Sequence, residues 1–138
     1  MDLLKWLQQH FRPRLTTGQR GENEAARYLK HRGFKILHRN YKNTFGEIDL
    51  IAQDGSQLVF IEVRTRSAEK QGHPAETIGP VKQRKISRTA LGYLKYHNTA
   101  GLSARFDVVT IQWGENAKVN KIDYFPKHEL QFLTLPSK

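Results

Sequence analysis

The stretch GEIDLIAQDGSQLVFIEVRTR, residues 46–66, constrains the fold of this chain more than any other segment. Two short runs rich in Ile, Leu, Val and Phe flank an Asp-Gly pair, which is a strong signal for a β-hairpin. Acidic residues interrupt both runs, at Glu47, Asp49 and Glu62, and two arginines follow. Carboxylates kept inside an apolar strand pair need a structural or a chemical reason.

The two faces of this hairpin follow from its register. We expect a turn centred on Asp54-Gly55, which defines three opposed pairs: Ile51 with Leu58, Asp49 with Phe60, and Glu47 with Glu62. One face is then wholly apolar: Ile48, Leu50, Val59, Ile61 and Val63. On the other face Asp49 and Glu62 are diagonal neighbours. Their backbones lie roughly 7–8 Å apart, a span that two carboxylates can close around one ion.

Carboxylates gathered at one end of one face repel one another, and a cation relieves that repulsion. Arg64 or Arg66 can supply the cation as an ion pair. A divalent metal can supply it instead, because Mg²⁺ (or Mn²⁺) is held by one or two carboxylates together with water and substrate phosphate. The residues by themselves leave both alternatives open.

The charge of the chain indicates its partner. Twenty-three Lys and Arg against thirteen Asp and Glu give a net charge of +10 in 138 residues. Such an excess favours phosphate contacts through counterion release, and here the basic residues are mixed with aromatic ones. Nucleic acid, with DNA as the expected form, is therefore the predicted partner. The alternatives are a solubilising charge or a basic surface for an acidic protein.

Cysteine is absent, which excludes a disulfide scaffold, a thiolate nucleophile and a zinc site built on Cys. No stretch approaches the roughly 20 apolar residues that cross a bilayer, and the start of the chain does not resemble a signal peptide. A cytoplasmic location is therefore expected. Residues 1–15 form an amphipathic segment, which we expect to be a short helix packed on the domain; a partner protein or a membrane surface are its alternatives.

The rest of the chain alternates between helical and strand patterns. Helices are expected from Thr16 to His31, ended by Gly33, and from Pro80 to about His97. Strands are expected around the hairpin, at 34–41, 105–113 and 121–125, with a loop at 67–80. This order predicts a single α/β domain over residues 16–138, with helices packed on both faces of a mixed sheet.

Three polar side chains outside the hairpin have two interpretations each. Glu22 lies on the apolar face of the first helix, and is either a capping or helix-dipole-stabilising residue or an additional acid of the hairpin site. Asp107 lies in an apolar strand, where a partnership with Arg105 or with a helix terminus is the favoured interpretation over catalysis. His73, in the Gly-Pro loop, either reaches the site or is a plain loop residue.

The order Asp49, then Glu62-Val63-Arg64, resembles the D…(D/E)-x-K pattern of restriction-endonuclease-like nucleases. More closely, GENEAARYL, GFKILHRNY, GEIDLIA, VFIEVRTR and RFDVV resemble the YraN family of small bacterial proteins over roughly residues 18–125. The resemblance implies a restriction-endonuclease-like α/β fold, a mixed sheet flanked by helices. It also implies a role in nucleic-acid transactions similar to that of junction resolvases, with a homodimer as one possible assembly.

The same resemblance implies roles for individual residues. Asp49 and Glu62 would hold the metal, Mg²⁺ or Mn²⁺, and Glu22 would match the acid on the first helix. Arg64 stands where these nucleases have lysine, and can stabilise charge but cannot act as a base. The backbone of the nucleic acid would be held by basic residues: Arg66, Lys82, Arg84, Lys85 and Arg88. The predicted function is a metal-dependent endonuclease acting on structured DNA; the alternative is a non-catalytic nucleic-acid-binding module with a degenerate site.

Overall fold

The computed structural model describes residues 2–10, 16–67, 78–97, 99 and 102–126. Its elements in chain order are α1 (Leu3–His10), α2 (Thr17–His31), β1 (Lys35–Asn43), β2 (Gly46–Asp54), β3 (Gln57–Ser67), α3 (Pro80–Tyr96), β4 (Ser103–Trp113), a short 3-10 helix (Glu115–Ala117) and β5 (Val119–Phe125). The two long helices and the five strands predicted from the sequence are confirmed. The prediction for His73 lies outside the described residues.

The five strands form one mixed sheet in the order β1-β2-β3-β4-β5. Neighbouring strands are antiparallel except β3 and β4, which are parallel and are connected through α3. A parallel pair needs a long crossover connection, and a helix normally provides it. The prediction of a mixed sheet flanked by helices, as in the restriction-endonuclease-like arrangement, is confirmed.

Two hydrophobic cores lie on opposite faces of the sheet. On one face α2 contributes Ala25, Ala26 and Leu29, which pack on sheet residues that include Leu50, Val59, Ile61 and Val109. On the other face α3 contributes Ile86, Ala90, Tyr93 and Leu94, which pack on Ile51, Leu58, Phe60 and Phe106. These four residues of α3 recur at helical spacing in the sequence, and the basic residues of α3 are exposed.

The helix α2 begins with a capping box. The Thr16 hydroxyl accepts a hydrogen bond from the Gln19 N–H, and the Gln19 side chain accepts one from the Thr16 N–H. These two contacts satisfy helix-start donors that would otherwise need water. Gly33, with φ at +92°, follows the end of the helix in a left-handed conformation that favours glycine. Capping of α2 therefore needs nothing from Glu22.

The expected register of the β2–β3 hairpin is wrong by two residues. Asp54 is paired with Gln57, so the two turn residues are Gly55 and Ser56. Gly55 takes a φ of +61°, which suits glycine, and the Asp54 carboxylate is held 3.0 Å from the Arg105 guanidinium, which keeps Asp54 in the strand. A two-residue shift leaves the side chains on their faces but changes which residues meet.

The changed register gives new opposed pairs: Leu50 with Ile61, Ile51 with Phe60, and Gln53 with Leu58. The prediction that Ile48 and Leu50 share a face is also wrong. Ile48 packs in the core on the α3 side of the sheet, and Leu50 packs in the core on the α2 side. Asn40, which lies between the β1 residues paired with Leu50 and Ile48, has a left-handed φ of +53°. At this irregularity the side chains of β2 no longer alternate between the two faces of the sheet, so Ile48 and Leu50, on either side of Asp49, face opposite cores.

A buried ion-pair network connects the turn to the far strands. The Arg105 side chain donates to Asp107 at 3.1 Å, to Gln57 at 2.6 Å, to Asp54 at 3.0 Å and to the Tyr124 hydroxyl at 3.2 Å. Tyr124 in turn donates to Asp107, which is fully buried. The predicted partnership of Asp107 with Arg105 is confirmed, and both side chains have a structural role.

Within the amphipathic N-terminal segment, α1 confirms the expected short helix over residues 3–10, and its packing on the domain stays a prediction. Its leucines at positions 3 and 4 nevertheless remain 68% exposed, so these side chains do not contribute to either core. Across the described ranges, no helix combines the length and the apolar character that crossing a membrane requires.

Candidate active site

Two carboxylates meet where β2 and β3 separate. The paired residues of these strands extend to Leu50 and Ile61, and the next residues outward are Asp49 and Glu62. The Val63 N–H donates to the Asp49 Oδ2 atom at 2.8 Å. Asp49 and Glu62, called the acid pair below, are therefore direct neighbours rather than the diagonal ones expected from the sequence.

The acid pair is poorly solvated. Glu62 is only 5% exposed, and Asp49 is half-buried. Burial raises the pKa of Asp49 to about 7; the negative charge of Glu62 contributes next, and that of Glu22 adds a smaller rise, against the lowering by the Val63 N–H. The Asp49 carboxyl therefore keeps its proton to a higher pH than an ordinary aspartate does, first because it is desolvated and second because Glu62 is beside it.

The cation that faces the acid pair comes from α3. The Lys82 ammonium forms an ion pair with the Glu62 Oε1 atom, although half of the Lys82 side chain remains exposed. The sequence predicted Lys82 as a phosphate-binding residue, without this contact. Its only local signal is a place in the first turn of a helix, twenty residues after Glu62, so nothing in the sequence indicated the pairing.

The other predicted site residues lie around the pair at different depths. Glu22 is half-buried on α2 and close enough to affect the Asp49 carboxyl. Arg64, two residues after Glu62 on β3, is half-buried and already has an interaction partner; Arg66 is exposed. Within the residues that the structure describes, no three His, Asp or Glu side chains are grouped as a metal cluster. The acid pair is thus a two-carboxylate site, which leaves room for water and phosphate around a hard cation.

A groove of about 850 Å³ opens next to the acid pair. One wall is the β1–β2 turn with its flanking residues, 42–47, and the other is the start of α3, residues 79–86. Lys82 lines this groove and also contacts Glu62, so the groove and the acid pair share this residue. We call it the α3 groove. Sequence reasoning missed its aromatic residue, Phe45, whose only signal was a large apolar side chain in a polar turn.

The basic residues predicted to bind nucleic acid divide into two groups. Lys82 and Lys85 line the α3 groove, together with Lys42 from β1. Arg84 and Arg88 are exposed on α3. The structure therefore brings Lys82 to the acid pair and Lys85 to the groove, and leaves Arg84 and Arg88 on the open surface of the same helix. Arg66, the remaining member of the set, is exposed on β3.

The mixed sheet with a helix on each face, and an acid pair where its second and third strands separate, defines an α/β domain of restriction-endonuclease-like arrangement. The family model described as "Uncharacterised protein family UPF0102" matches residues 21–111, from α2 to β4. The chain belongs to this family, which confirms the resemblance to the YraN proteins seen in its motifs.

Relatives from several bacteria support the assignment. A UPF0102 protein of Syntrophus aciditrophicus is 47% identical over 70% of this chain and 76% of its own length. A UPF0102 protein of Desulfosudis oleivorans is 49% identical over 72% of this chain and 81% of its own. The corresponding protein of Anaeromyxobacter dehalogenans is 41% identical over 82% and 83%.

Among solved structures, SfsA of Pyrococcus furiosus in complex with Ca²⁺ is similar with a TM-score of 0.36 and 10% sequence identity. The match covers 75% of this chain and 58% of that one. At this TM-score the likeness carries no conclusion about this chain.

Proposed function

We propose that this protein is a metal-dependent phosphodiesterase, an endonuclease that acts on structured DNA. The observation that carries the proposal is the acid pair, in which burial and mutual repulsion raise the pKa of Asp49 to about 7. Perturbed, desolvated carboxylates beside a groove mark functional sites more often than structural ones. A divalent cation would remove the repulsion that the fold imposes.

The donor chemistry of the acid pair fits Mg²⁺ or Mn²⁺, because both ions prefer carboxylate oxygens and keep several waters. Bound at Asp49 and Glu62, such an ion would supply Lewis-acid chemistry for phosphodiester hydrolysis. In that reaction a water oxygen forms a bond to phosphorus and the bond from phosphorus to the leaving sugar oxygen breaks. The attacking water releases a proton to solvent, and the leaving oxygen takes a proton from solvent.

The chain's own residues have separate tasks in this proposal. Arg64 stabilises the negative charge that grows on the phosphoryl oxygens, since its guanidinium stays protonated and cannot act as a base. Lys82, which neutralises Glu62 in the free protein, moves from the carboxylate to a phosphate oxygen when a cation occupies the pair. Arg66, Arg84 and Arg88 hold the backbone by sequence-independent contacts.

Calorimetric titration of the protein with MgCl₂ or MnCl₂ tests the metal site. Asp49→Asn keeps the shape and an acceptor for the Val63 N–H but removes the charge, so we expect it to abolish binding. Glu115→Gln, an exposed acid in the 3-10 helix, is the matched control and should bind as the native chain does. Equal binding by all three proteins would overturn the proposed site.

Cleavage of branched against linear DNA, with Glu62→Gln as the inactive reference, tests the activity. A specific feature favours the second candidate function, a non-catalytic nucleic-acid-binding module: Arg64 replaces the lysine of the related nucleases. The native chain and its two acid-pair variants separate the two candidates. Cleavage that is present in the native chain supports the enzyme; salt-sensitive binding without cleavage, unchanged in Asp49→Asn and Glu62→Gln, supports the module.

A further inference from the structure

The α3 groove has an aromatic wall that the proposed chemistry does not use. Phe45, in the turn between β1 and β2, is 52% exposed, and Val81 on the opposite side is 58% exposed. Single exposed apolar residues are ordinary, but two that face one groove beside an acid pair form a patch suited to a flat apolar ligand.

The position of the Phe45 ring is built into the fold. The Phe45 N–H donates to the Asn43 side chain at 2.9 Å, and that side chain donates to the Thr89 carbonyl of α3 at 3.1 Å. A Cβ at Gly92 would lie 2.9 Å from the Asn43 amide nitrogen and 3.5 Å from the Phe45 ring. The absence of a side chain at Gly92 thus lets the turn lie against α3, with the ring held there.

The charges around the groove are mostly positive. Among the residues that the structure describes, Lys42, Lys82 and Lys85 line it, against one carboxylate, that of Glu47, which is 3.8 Å from Lys42. A groove that combines amines with an aromatic wall is complementary to a ligand that carries both phosphates and a flat ring. Nucleotides have this composition, and aromatic side chains in basic grooves are how proteins bind unpaired bases.

We propose that the α3 groove binds an unpaired nucleotide of single-stranded DNA or RNA next to the phosphodiester at the acid pair. The base stacks on Phe45 and contacts Val81, while Lys42 and Lys85 contact its neighbouring phosphates. The inference rests on the proposed function, because the groove and the acid pair share Lys82. A base inside a duplex is already stacked, so this site selects junctions, flaps or ends with unpaired bases.

Binding of labelled oligonucleotides to the full chain, followed by fluorescence anisotropy in EDTA, tests this site. The probes are a single strand of about 16 nucleotides, as DNA and as RNA, and a blunt duplex of the same sequence. We expect Phe45→Ala to weaken single-strand binding by roughly tenfold or more, Phe45→Trp to retain it, and duplex binding to change by less than about twofold. Tyr96→Ala is the control. Tyr96 is an aromatic residue on α3, is 82% exposed and is not among the residues that line the groove.

Phe45→Leu guards against misfolding, because it keeps apolar bulk on the turn without a stacking ring. If Phe45→Ala unfolds, the single-strand affinities of Phe45→Leu and Phe45→Trp are compared instead. Thermal unfolding shows which variants are folded. Single-strand affinity that is equal in the Leu and Trp variants, or a loss that is equal for single strand and duplex, would overturn the proposal.

The salt dependence gives a second measurement. Lys85→Gln should lower the slope of log K against log salt for the single strand by about 0.7, the value for one phosphate contact. Lys95→Gln, on the same helix and exposed, should not. Metal-dependent cleavage that no Phe45 substitution alters would refute the proposed nucleotide site in the groove, but not the proposed function. A chain that binds neither probe would refute this inference, and a chain that also fails to cleave branched DNA would refute the proposed function as well.

Discussion

The Asp49 carboxylate accepts a 2.8 Å hydrogen bond from the backbone N–H of Val63, the residue that follows Glu62. This contact lies just beyond the paired residues Leu50 and Ile61, at the point where β2 leaves β3. It also holds the Asp49 side chain against Glu62, so the opening between the strands positions the acid pair.

The raised pKa of Asp49 makes the metal-free protein less stable as the pH increases. The folded pKa, about 7, lies above the ordinary value of 3.8, so the folded state binds more protons between these values. The free energy of unfolding should therefore fall by on the order of 1 kcal/mol or more as the pH rises through this window, and stay low above it. Urea unfolding in EDTA at acidic and at mildly alkaline pH measures it. Asp49→Asn should remove this component and be the more stable protein at the higher pH.

Metal affinity should have the opposite pH dependence. A cation at the acid pair must displace the proton of Asp49, so affinity for Mn²⁺ should rise by up to about tenfold per pH unit below the pKa and level off above it. Glu22→Gln should move the levelling-off to lower pH, because the charge of Glu22 contributes to the raised pKa. Glu24→Gln, on the same helix and paired with Arg27 at 3.6 Å, is the control. Calorimetry in buffers of different ionisation enthalpy counts the released proton; an affinity independent of pH would contradict the prediction.

Lys82 should compete with the metal for Glu62. Replacing Lys82 by Met removes the ammonium that neutralises the buried Glu62 carboxylate, and we expect Mg²⁺ to bind several-fold more tightly. Lys85→Met, one turn further along α3, should leave metal affinity unchanged while weakening nucleic-acid binding. Calorimetric titrations of the two variants give the comparison. Weaker metal binding in Lys82→Met would instead indicate that the lysine supports the site.

Arg105 should be a large contributor to stability without being part of the site. Its replacement by Ala leaves the fully buried Asp107 without its guanidinium, and loss of one partner of a buried ion pair costs about 3–5 kcal/mol. Tyr124→Phe removes one hydrogen bond to Asp107 and should cost about 1–3 kcal/mol. Chemical denaturation provides both values, and metal binding by the folded Tyr124→Phe protein should be unchanged. A near-neutral Arg105→Ala would contradict this view of the network.

The contact between α2 and β3 should be intolerant of a single methyl group. A Cβ at Gly21 would lie 2.3 Å from the Thr65 methyl carbon, whereas the nearest atom to one at Gly18 is 3.8 Å away. Gly21→Ala should therefore destabilise the protein by about 1–3 kcal/mol, and Gly18→Ala on the same helix should be neutral or stabilising. Adding Thr65→Ser to Gly21→Ala removes the colliding methyl and should recover part of the loss. Additive effects of these two changes would show that the collision is not the cause.

Local patterns were sufficient to predict every long element of this fold. The spacing of apolar residues in α2 and α3, the Pro at the start of α3 and the apolar runs of β2 and β3 depend only on neighbouring residues. The exact position of the turn could not be predicted from neighbouring residues. Asp-Gly signals a turn, but Asp54 is in the strand, where it forms an ion pair with Arg105, fifty-one residues away, and the turn is moved by one residue.

The sequence by itself determined that Asp49 and Glu62 belong to adjacent strands, since apolar runs on either side of a turn signal are a local property. Only the tertiary structure decided that they touch, because this depends on the register and on where β2 leaves β3. Only packing of α3 on the sheet brought Lys82 to Glu62 and joined Phe45 to the same groove. Residues far apart in the chain meet through the packing of whole helices and strands, and no local sequence pattern encodes which of them come into contact.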